Sequence, residues 1–98
     1  MQLFLLDEAR RQVEYEDAWW RAHRDAVDLF IDELERTLES LRAAPEIGQA
    51  YRRSRDGIIQ RWLMPKTRCH IYYLVHRDRE VIEILSVWGA RRGRGPQL

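Results

Sequence analysis

Arginine supplies most of the chemistry that this 98-residue chain offers. The chain has 17 basic side chains, and Lys66 is the lone lysine among them. A guanidinium group is planar, binds phosphate or carboxylate through paired hydrogen bonds, and stays protonated near neutral pH. Arg91, Arg92 and Arg94 follow the last apolar run of the sequence. These residues predict contact with an anion rather than proton transfer.

The charge is divided unevenly between the two halves of the chain. Residues 1–49 hold 6 arginines and 12 acidic residues, a formal charge of −6. Residues 50–98 hold 11 basic and 4 acidic residues, a formal charge of +7. Such asymmetry predicts a polyanion or an acidic partner at the basic end.

Other kinds of site have little support in the sequence. The three histidines lack the spacing of metal ligands, and the single cysteine, Cys69, excludes a disulfide within the chain. We therefore expect no metal and no cofactor, and Cys69 is interpreted as a plain small side chain. A lone histidine is more often structural than catalytic, so His70 is placed on the sheet surface. His23 and His76 are expected at exposed turns.

Two helices are predicted in the first half to position these groups. A strand over residues 2–6 precedes a helix over residues 8–24, with Asp7 as its N-cap. The apolar stripe of this helix is interrupted by Glu16 and consists of Ala9, Val13 and Trp20.

The second helix has the clearer apolar face. It is predicted over residues 26–43, with Asp25 as its cap and Pro45 beyond its end. The residues that share its buried face, at the spacing of a helix, are Val27, Phe30, Ile31, Leu34, Leu38 and Leu41. Because the connection is short, the two helices should form an antiparallel hairpin.

Three strands are predicted in the second half, over residues 58–64, 70–75 and 80–88, after a polar connection over residues 49–57. In the last strand, alternation puts Trp88 on the face of Ile82 and Ile84, and puts Val87 on the other face with Glu83 and Leu85.

The resulting fold is a single α+β domain over residues 1–98. Its order is β-α-α-β-β-β, with the helical hairpin packed on one face of a small, mainly antiparallel sheet. The other face should be only partly covered, and Arg61 with Tyr72 or His70 is suited to line it. No stretch of the sequence approaches membrane-spanning length.

This element order, with its residues in place, resembles the RelE/ParE superfamily of bacterial toxin–antitoxin toxins across nearly the whole chain. The resemblance rests on an ordered set, not on one motif: Ala9, Phe30, Leu34, Leu38, Leu41, Pro45, Gly48, Gly57, Arg61, and residues 71–73, 81–85 and 88–91. It implies a small cytoplasmic toxin that inhibits growth and is neutralised by a cognate antitoxin. RelE-like members cut mRNA in the ribosomal A site, whereas ParE-like members poison DNA gyrase.

The resemblance also implies how the two branches differ at the residue level. A RelE-like nuclease needs no metal, but it needs a base for the ribose 2′-hydroxyl, cations at the phosphate and an acid for the leaving oxygen. Arg61 and Arg91, with Arg68 as a weaker third, fit the phosphate clamps. Trp88 stands where nuclease relatives often have a histidine, and no tyrosine occurs after Tyr73. This pattern favours the ParE-like branch.

The residues predicted to contact a partner are Trp19, Trp20, Arg61, Tyr72, Trp88, Arg91, Arg92 and Arg94. Adjacent tryptophans on one helix cannot both face its core, so one of the first two is an interface candidate. For Arg61, an ion pair with Glu83 across the sheet is an equal alternative. The arginine tail fits a solvated segment, a docking surface for an acidic antitoxin, or a catalytic role, and docking is preferred to catalysis. Trp62 and Trp88 fit either the core or the frame of a binding face.

Three functions are compatible with the sequence. The first is a ParE-like toxin that binds a cellular target, with DNA gyrase as the candidate, and is held inactive by its antitoxin. The second is a RelE-like, ribosome-dependent mRNA endoribonuclease. The third is a non-toxic family member that acts only as a binding module. We expect a cytoplasmic location and no membrane partner in each case.

Overall fold

Two helices pack on one face of a five-stranded sheet in the computed structural model, which describes residues 1–98. The elements are β1 (Gln2–Leu5), α1 (Asp7–His23), α2 (Leu29–Ala43), β2 (Gln49–Ser54), β3 (Gly57–Met64), β4 (Cys69–His76) and β5 (Val81–Gly89). Short 3₁₀ turns follow α2 and β5, at Pro45–Ile47 and Ala90–Arg92. The strand order is β1-β5-β4-β3-β2; β1 runs parallel to β5 and every other pair is antiparallel. The predicted α+β fold is confirmed.

The predicted polar connection after α2 is wrong, because residues 49–54 form the edge strand β2. All but the last of these residues are exposed, so no apolar alternation marks the strand in the sequence. Backbone pairing with β3 holds β2 in place, and the Tyr51 ring lies edge-on to Tyr72, 5.0 Å between centres.

Both predicted helix caps are displaced. Leu6 is the N-cap of α1, and Asp7 is already helical. The second helix begins at Leu29 rather than at residue 26, because residues 25–29 form tight turns. Asp28 occupies the N-cap position but binds Arg21 at 2.8 Å instead of capping the helix.

The main core lies between the helices and the sheet. Of the apolar face predicted for α2, Phe30, Leu34 and Leu41 are buried, whereas Val27, Ile31 and Leu38 are half-buried. These side chains pack against strand residues that include Met64, Ile71, Tyr73, Ile82, Ile84 and Val87. The opposite face of the sheet, called the open face here, has a smaller cluster made of Ile59, Tyr72 and Leu74, with Leu85 and Trp88 against it. Neither helix is both long and apolar enough to cross a membrane.

A bulge in β5 changes which side chains face the helices. Tyr72 pairs with Ser86 and Tyr73 pairs with Ile84, which leaves Leu85 as the extra residue. The alternation therefore shifts, Val87 joins the helix-side core, and Trp88 lies on the open face. The predicted faces of Val87 and Trp88 are wrong for this reason.

Buried Gln12 of α1 fixes the bulge. Its side-chain oxygen accepts hydrogen bonds from the Ser86 hydroxyl and the Val87 backbone N–H, both at 2.8 Å. A bulge disrupts the ladder, and this amide satisfies the backbone donor beside it.

Candidate partner-binding surfaces

The sheet separates the predicted contact residues into two groups. The open-face group contains Arg61, Tyr72, Trp88 and Arg94. The group at the C-terminal end of α1 contains Trp19, Trp20 and Arg91. Arg92 lies between them, because its guanidinium carbon is 4.1 Å from the Tyr15 ring centre and 4.2 Å from that of Trp88.

Arg61 lies on the open face without an acidic partner. It is paired with Tyr72 across β3 and β4, and its guanidinium carbon is 4.9 Å from the Tyr51 ring centre. The alternative ion pair with Glu83 is not formed, because that carboxylate accepts a 2.7 Å hydrogen bond from His76 Nε2. His76, expected at an exposed turn, therefore has a side chain that is only 12% exposed. The Arg61 guanidinium keeps its hydrogen-bond donors available.

His70 shares the open face with Arg61. Its ring centre is 6.0 Å from that of Tyr72. Burial lowers the pKa of His70, and the charges of Arg61 and Arg68 lower it further. The imidazole is therefore neutral near pH 7 and able to accept a proton. The sequence marked His70 as a surface residue but gave no sign of this environment.

The C-terminal tail crosses the open face from β5 towards β2. The Trp88 indole N–H donates a hydrogen bond to the Arg94 carbonyl, and the Arg52 guanidinium donates one to the Leu98 carbonyl at 2.9 Å. Between them, Gly95 lies against Tyr51, since a Cβ at that glycine would be 3.6 Å from the hydroxyl oxygen. The tail is therefore held against the protein, and Tyr72 beneath this face is only 2% exposed.

A buried carboxylate organises the end of α1. Glu16 is 1% exposed and accepts a 3.1 Å hydrogen bond from Arg91 Nη1, with Arg92 Nε at 4.0 Å. The Cys69 thiol lies 3.8 Å from its other oxygen. Burial raises the pKa of Glu16, and the two guanidinium groups counteract part of that increase. A buried charge needs such partners.

Glu16 was not predicted to bind the arginines and appeared only as a break in the stripe of α1. An acidic side chain on a buried helical stripe, in a chain that ends in arginines, is the signal that points to such a pair. Cys69 is 1% exposed, and burial raises its pKa to about 12, with the Glu16 charge adding to the shift. The thiol therefore stays protonated and acts as a small core side chain.

The two adjacent tryptophans have different environments. Trp20 packs against the helix-side core. Trp19 lies among cations, with the guanidinium carbons of Arg91 and Arg24 at 3.8 Å and 4.7 Å from its ring centre. The His23 ring stacks on it at 4.7 Å, and His23 Nδ1–H donates a hydrogen bond to the Trp19 carbonyl at 2.8 Å.

The residues suggested as phosphate clamps lie in separate places. Arg91 is bound by α1 on the helix side, whereas Arg61 lies on the opposite face of the sheet. Arg68 is exposed in the β3–β4 turn, where its carbonyl accepts a 2.8 Å hydrogen bond from the Ala90 N–H. No group of three His, Cys, Asp or Glu side chains is arranged to hold a metal ion.

Comparison with known proteins agrees with this architecture. The family model described as ParE toxin of type II toxin-antitoxin system, parDE, matches residues 3–93. A chain of the intact E. coli RelBE toxin–antitoxin complex superposes with a TM-score of 0.61 and 19% sequence identity, over 91% of this chain and 95% of that one. That likeness shows a shared fold, and no curated protein matches the chain. The family match extends from β1 into the tail, so the chain belongs to the ParE toxin family of type II toxin–antitoxin systems.

Proposed function

We propose that this toxin acts by binding a cellular target, with DNA gyrase as the first candidate, and that a cognate antitoxin neutralises it. Membership of the ParE toxin family supports the target class. The observation that carries a binding mechanism is the role of Trp88, whose indole N–H donates to the Arg94 carbonyl.

The chemistry of the Trp88 side chain does not favour cleavage of RNA. An indole N–H only donates hydrogen bonds and does not exchange protons as an imidazole does. Trp88 is therefore a clamp for the tail at the place where nuclease relatives often have a histidine. Arg61, the free cation of the same face, stays protonated near neutral pH and is a poor general base. The open face is suited to hold a partner rather than to cut RNA.

The antitoxin is proposed to be acidic, amphipathic, or both in the segment that binds, and to fold on binding. The RelBE structure that shares the fold is itself described as a toxin–antitoxin complex. The edge strand β2 offers an exposed row of backbone groups and carries Arg52 and Arg53, with Arg55 in the turn after it. An added acidic strand would pair with this edge and meet its charges, so the complex should weaken as salt is added.

The test compares two targets with the same purified protein. Wild-type toxin should inhibit DNA supercoiling by gyrase and leave mRNA on programmed ribosomes intact. Arg61→Ala and Arg94→Ala should reduce gyrase inhibition, whereas Arg79→Ala, an exposed arginine in the β4–β5 turn, should not. Co-expression with a cognate antitoxin should restore growth. Unchanged supercoiling at saturating toxin would overturn gyrase as the target.

A RelE-like endoribonuclease is the second candidate, because His70 is neutral and lies beside Arg61 on the open face. In that case the imidazole takes the 2′-hydroxyl proton, the 2′-oxygen bonds to phosphorus while the guanidinium holds the phosphate, and the departing 5′-oxygen takes a proton from water. Codon-dependent cleavage that is lost in both His70→Gln and Arg61→Ala would establish this function. A protein that binds an antitoxin but does not arrest growth would instead support the third function, a non-toxic binding module.

A further inference from the structure

A cationic cleft lies at the C-terminal end of α1, away from the tail-covered open face. Its volume is about 320 Å³, and α1, the β3–β4 turn and the end of β5 all contribute to its walls. The side chains that matter for its chemistry are Trp19, Trp20, Arg24, Lys66, Arg68 and Arg91, with Glu16 at its base.

The cationic side chains that line the cleft outnumber its carboxylates. Four cations and one carboxylate line it, a formal charge of +3. The carboxylate of Glu16 is already bound by Arg91. Arg24, Lys66 and Arg68 form no ion pair, and among their side chains only Arg24 donates a hydrogen bond, to the His23 carbonyl at 3.3 Å.

The cations are held on a fixed frame. The buried carboxylate of Glu33 accepts hydrogen bonds from the backbone N–H groups of Lys66 and Thr67, at 2.8 and 2.9 Å, and from the Thr67 hydroxyl at 2.7 Å. Arg68 has a φ of 61°, and its carbonyl is bound to the Ala90 N–H. The turn that carries two of the cations is therefore ordered before any ligand arrives, which lowers the entropic cost of binding.

The hydrogen-bond donors of the cleft that have no partner in the protein indicate the chemistry of its ligand. The Trp19 and Trp20 indole N–H groups have no acceptor in the protein, and they add to the free ammonium and guanidinium donors. The Trp19 ring already contacts Arg91, Arg24 and His23, so it is not available to stack on a base. The ligand must therefore be recognised through its charge and its acceptor oxygens.

We propose that this cleft binds a phosphate group, as inorganic phosphate or as the terminal phosphate of a nucleotide. A phosphate carries up to two charges and three terminal oxygens that accept hydrogen bonds. It matches several cations at once, and the guanidinium fork suits its geometry. A carboxylate, with one charge and two oxygens, would leave donors of this cleft unpaired.

The test uses the full chain and the indole N–H signals in ¹H–¹⁵N NMR spectra, at constant ionic strength. The probes are inorganic phosphate, deoxyadenosine 5′-monophosphate, deoxyadenosine and glutarate. Both phosphate probes should shift the Trp19 and Trp20 signals saturably and leave Trp88 on the open face unchanged. The two phosphate arms distinguish the sources, since a nucleotide site binds the monophosphate more tightly than the free ion.

The matched variants locate the site. Arg24→Gln with Arg68→Gln should weaken phosphate binding on the order of tenfold, because charged hydrogen bonds are lost. Lys66→Glu, an exposed charge reversal, should abolish it, and Arg79→Gln in the β4–β5 turn should leave it unchanged. Thermal melts confirm that each variant is folded. Equal shifts of all indole signals, equal affinity for glutarate, binding of deoxyadenosine, or full affinity in the double variant would each overturn the proposal.

Discussion

Arginine side chains serve different purposes on the two faces of the sheet. On the open face, Arg61 lies over a tyrosine ring and has no carboxylate within ion-pair distance. At the end of α1, Arg91 and Arg92 surround the buried carboxylate of Glu16. The first arrangement keeps a charge available for a partner, and the second uses the charge to hold the chain after β5 against a helix. Arginines that look alike in the sequence thus differ in the structure: Arg61 forms no ion pair, whereas Arg91 and Arg92 hold the chain against α1.

The two faces also differ in how much apolar surface they bury, and this difference predicts the largest effect. Leu34→Ala, in the helix-side core where the leucine is 4% exposed, should lower the free energy of unfolding by about 3 kcal/mol. Leu85→Ala, on the open face, should cost about half as much, because Leu85 is only half-buried. Urea denaturation of both variants measures the difference. Equal losses of unfolding free energy would show that packing on the open face stabilises the protein as much as packing on the helix side.

The second prediction sets Arg91 against Arg61. Arg91→Ala leaves the Glu16 carboxylate buried with only Arg92 near it, and should cost about 3 kcal/mol. Arg61→Ala removes a cation from an aromatic ring at a half-exposed site, and should cost about 0.5–1 kcal/mol. Urea denaturation gives both values.

A double variant identifies the cause of the larger loss. Glu16→Gln removes the buried charge while keeping the shape of the side chain. Arg91→Ala combined with Glu16→Gln should therefore be more stable than Arg91→Ala alone. A double variant that is less stable would mean that Arg91 acts through packing on Trp19 and not through the carboxylate.

Glu16 and His70 predict opposite effects of pH on stability, one from each face. Burial raises the pKa of Glu16 above its usual 4.5, so the folded state keeps that proton longer and stability falls as pH rises through the interval above 4.5. Burial lowers the pKa of His70 below its usual 6.5, so the unfolded state binds the proton first. Its contribution is complete above pH 6.5 and is lost as pH falls through the interval below it.

Denaturation at a series of pH values separates the two groups. Glu16→Gln should remove the fall above pH 4.5, and His70→Gln should remove the loss below pH 6.5. Glu35→Gln, at an exposed position of α2, is the control and should change neither. A pH profile that is the same in Glu16→Gln and wild type would show that the carboxylate is not perturbed by burial.

The sequence predicted the structure best where one face of a helix or strand is apolar throughout. The spacing from Phe30 to Leu41 identified α2 and its packing, because a buried helical stripe repeats in the sequence. Prediction from the sequence failed where polar contacts between distant residues determine the structure. The bulge at Leu85 is stabilised by Gln12, 73 residues away, and no local pattern reports such a contact. Strand β2 is exposed and pairs through its backbone, so its side chains carry no strand signal.

The candidate surfaces also depend on contacts between residues that lie far apart in the sequence. Residue type identified the arginines, but their roles depend on what lies opposite each of them. Glu16 became informative only when β5 and the turn after it brought Arg91 to α1. The cleft beside it combines three elements, and two of its cations come from a turn whose position is fixed by Glu33. In the sequence, Glu16 and Glu33 resemble ordinary acidic residues of a helix.

The smallest expected change in stability concerns the tail that covers the open face. Trp88→Phe keeps an aromatic ring for Arg92 and the open-face cluster but removes the N–H that donates to the Arg94 carbonyl. A single neutral hydrogen bond contributes about 1 kcal/mol, so the free energy of global unfolding should change by no more than that. The tail, in contrast, should leave the face more often, and trypsin should cleave after Arg94 about fivefold faster, because cleavage follows the population of the open form. Trp62→Phe, whose ring packs on the helix side, is the matched control. If both variants are cleaved at the wild-type rate, the tail is not held by the Trp88 hydrogen bond, and its contacts with Arg52 and Tyr51 are sufficient.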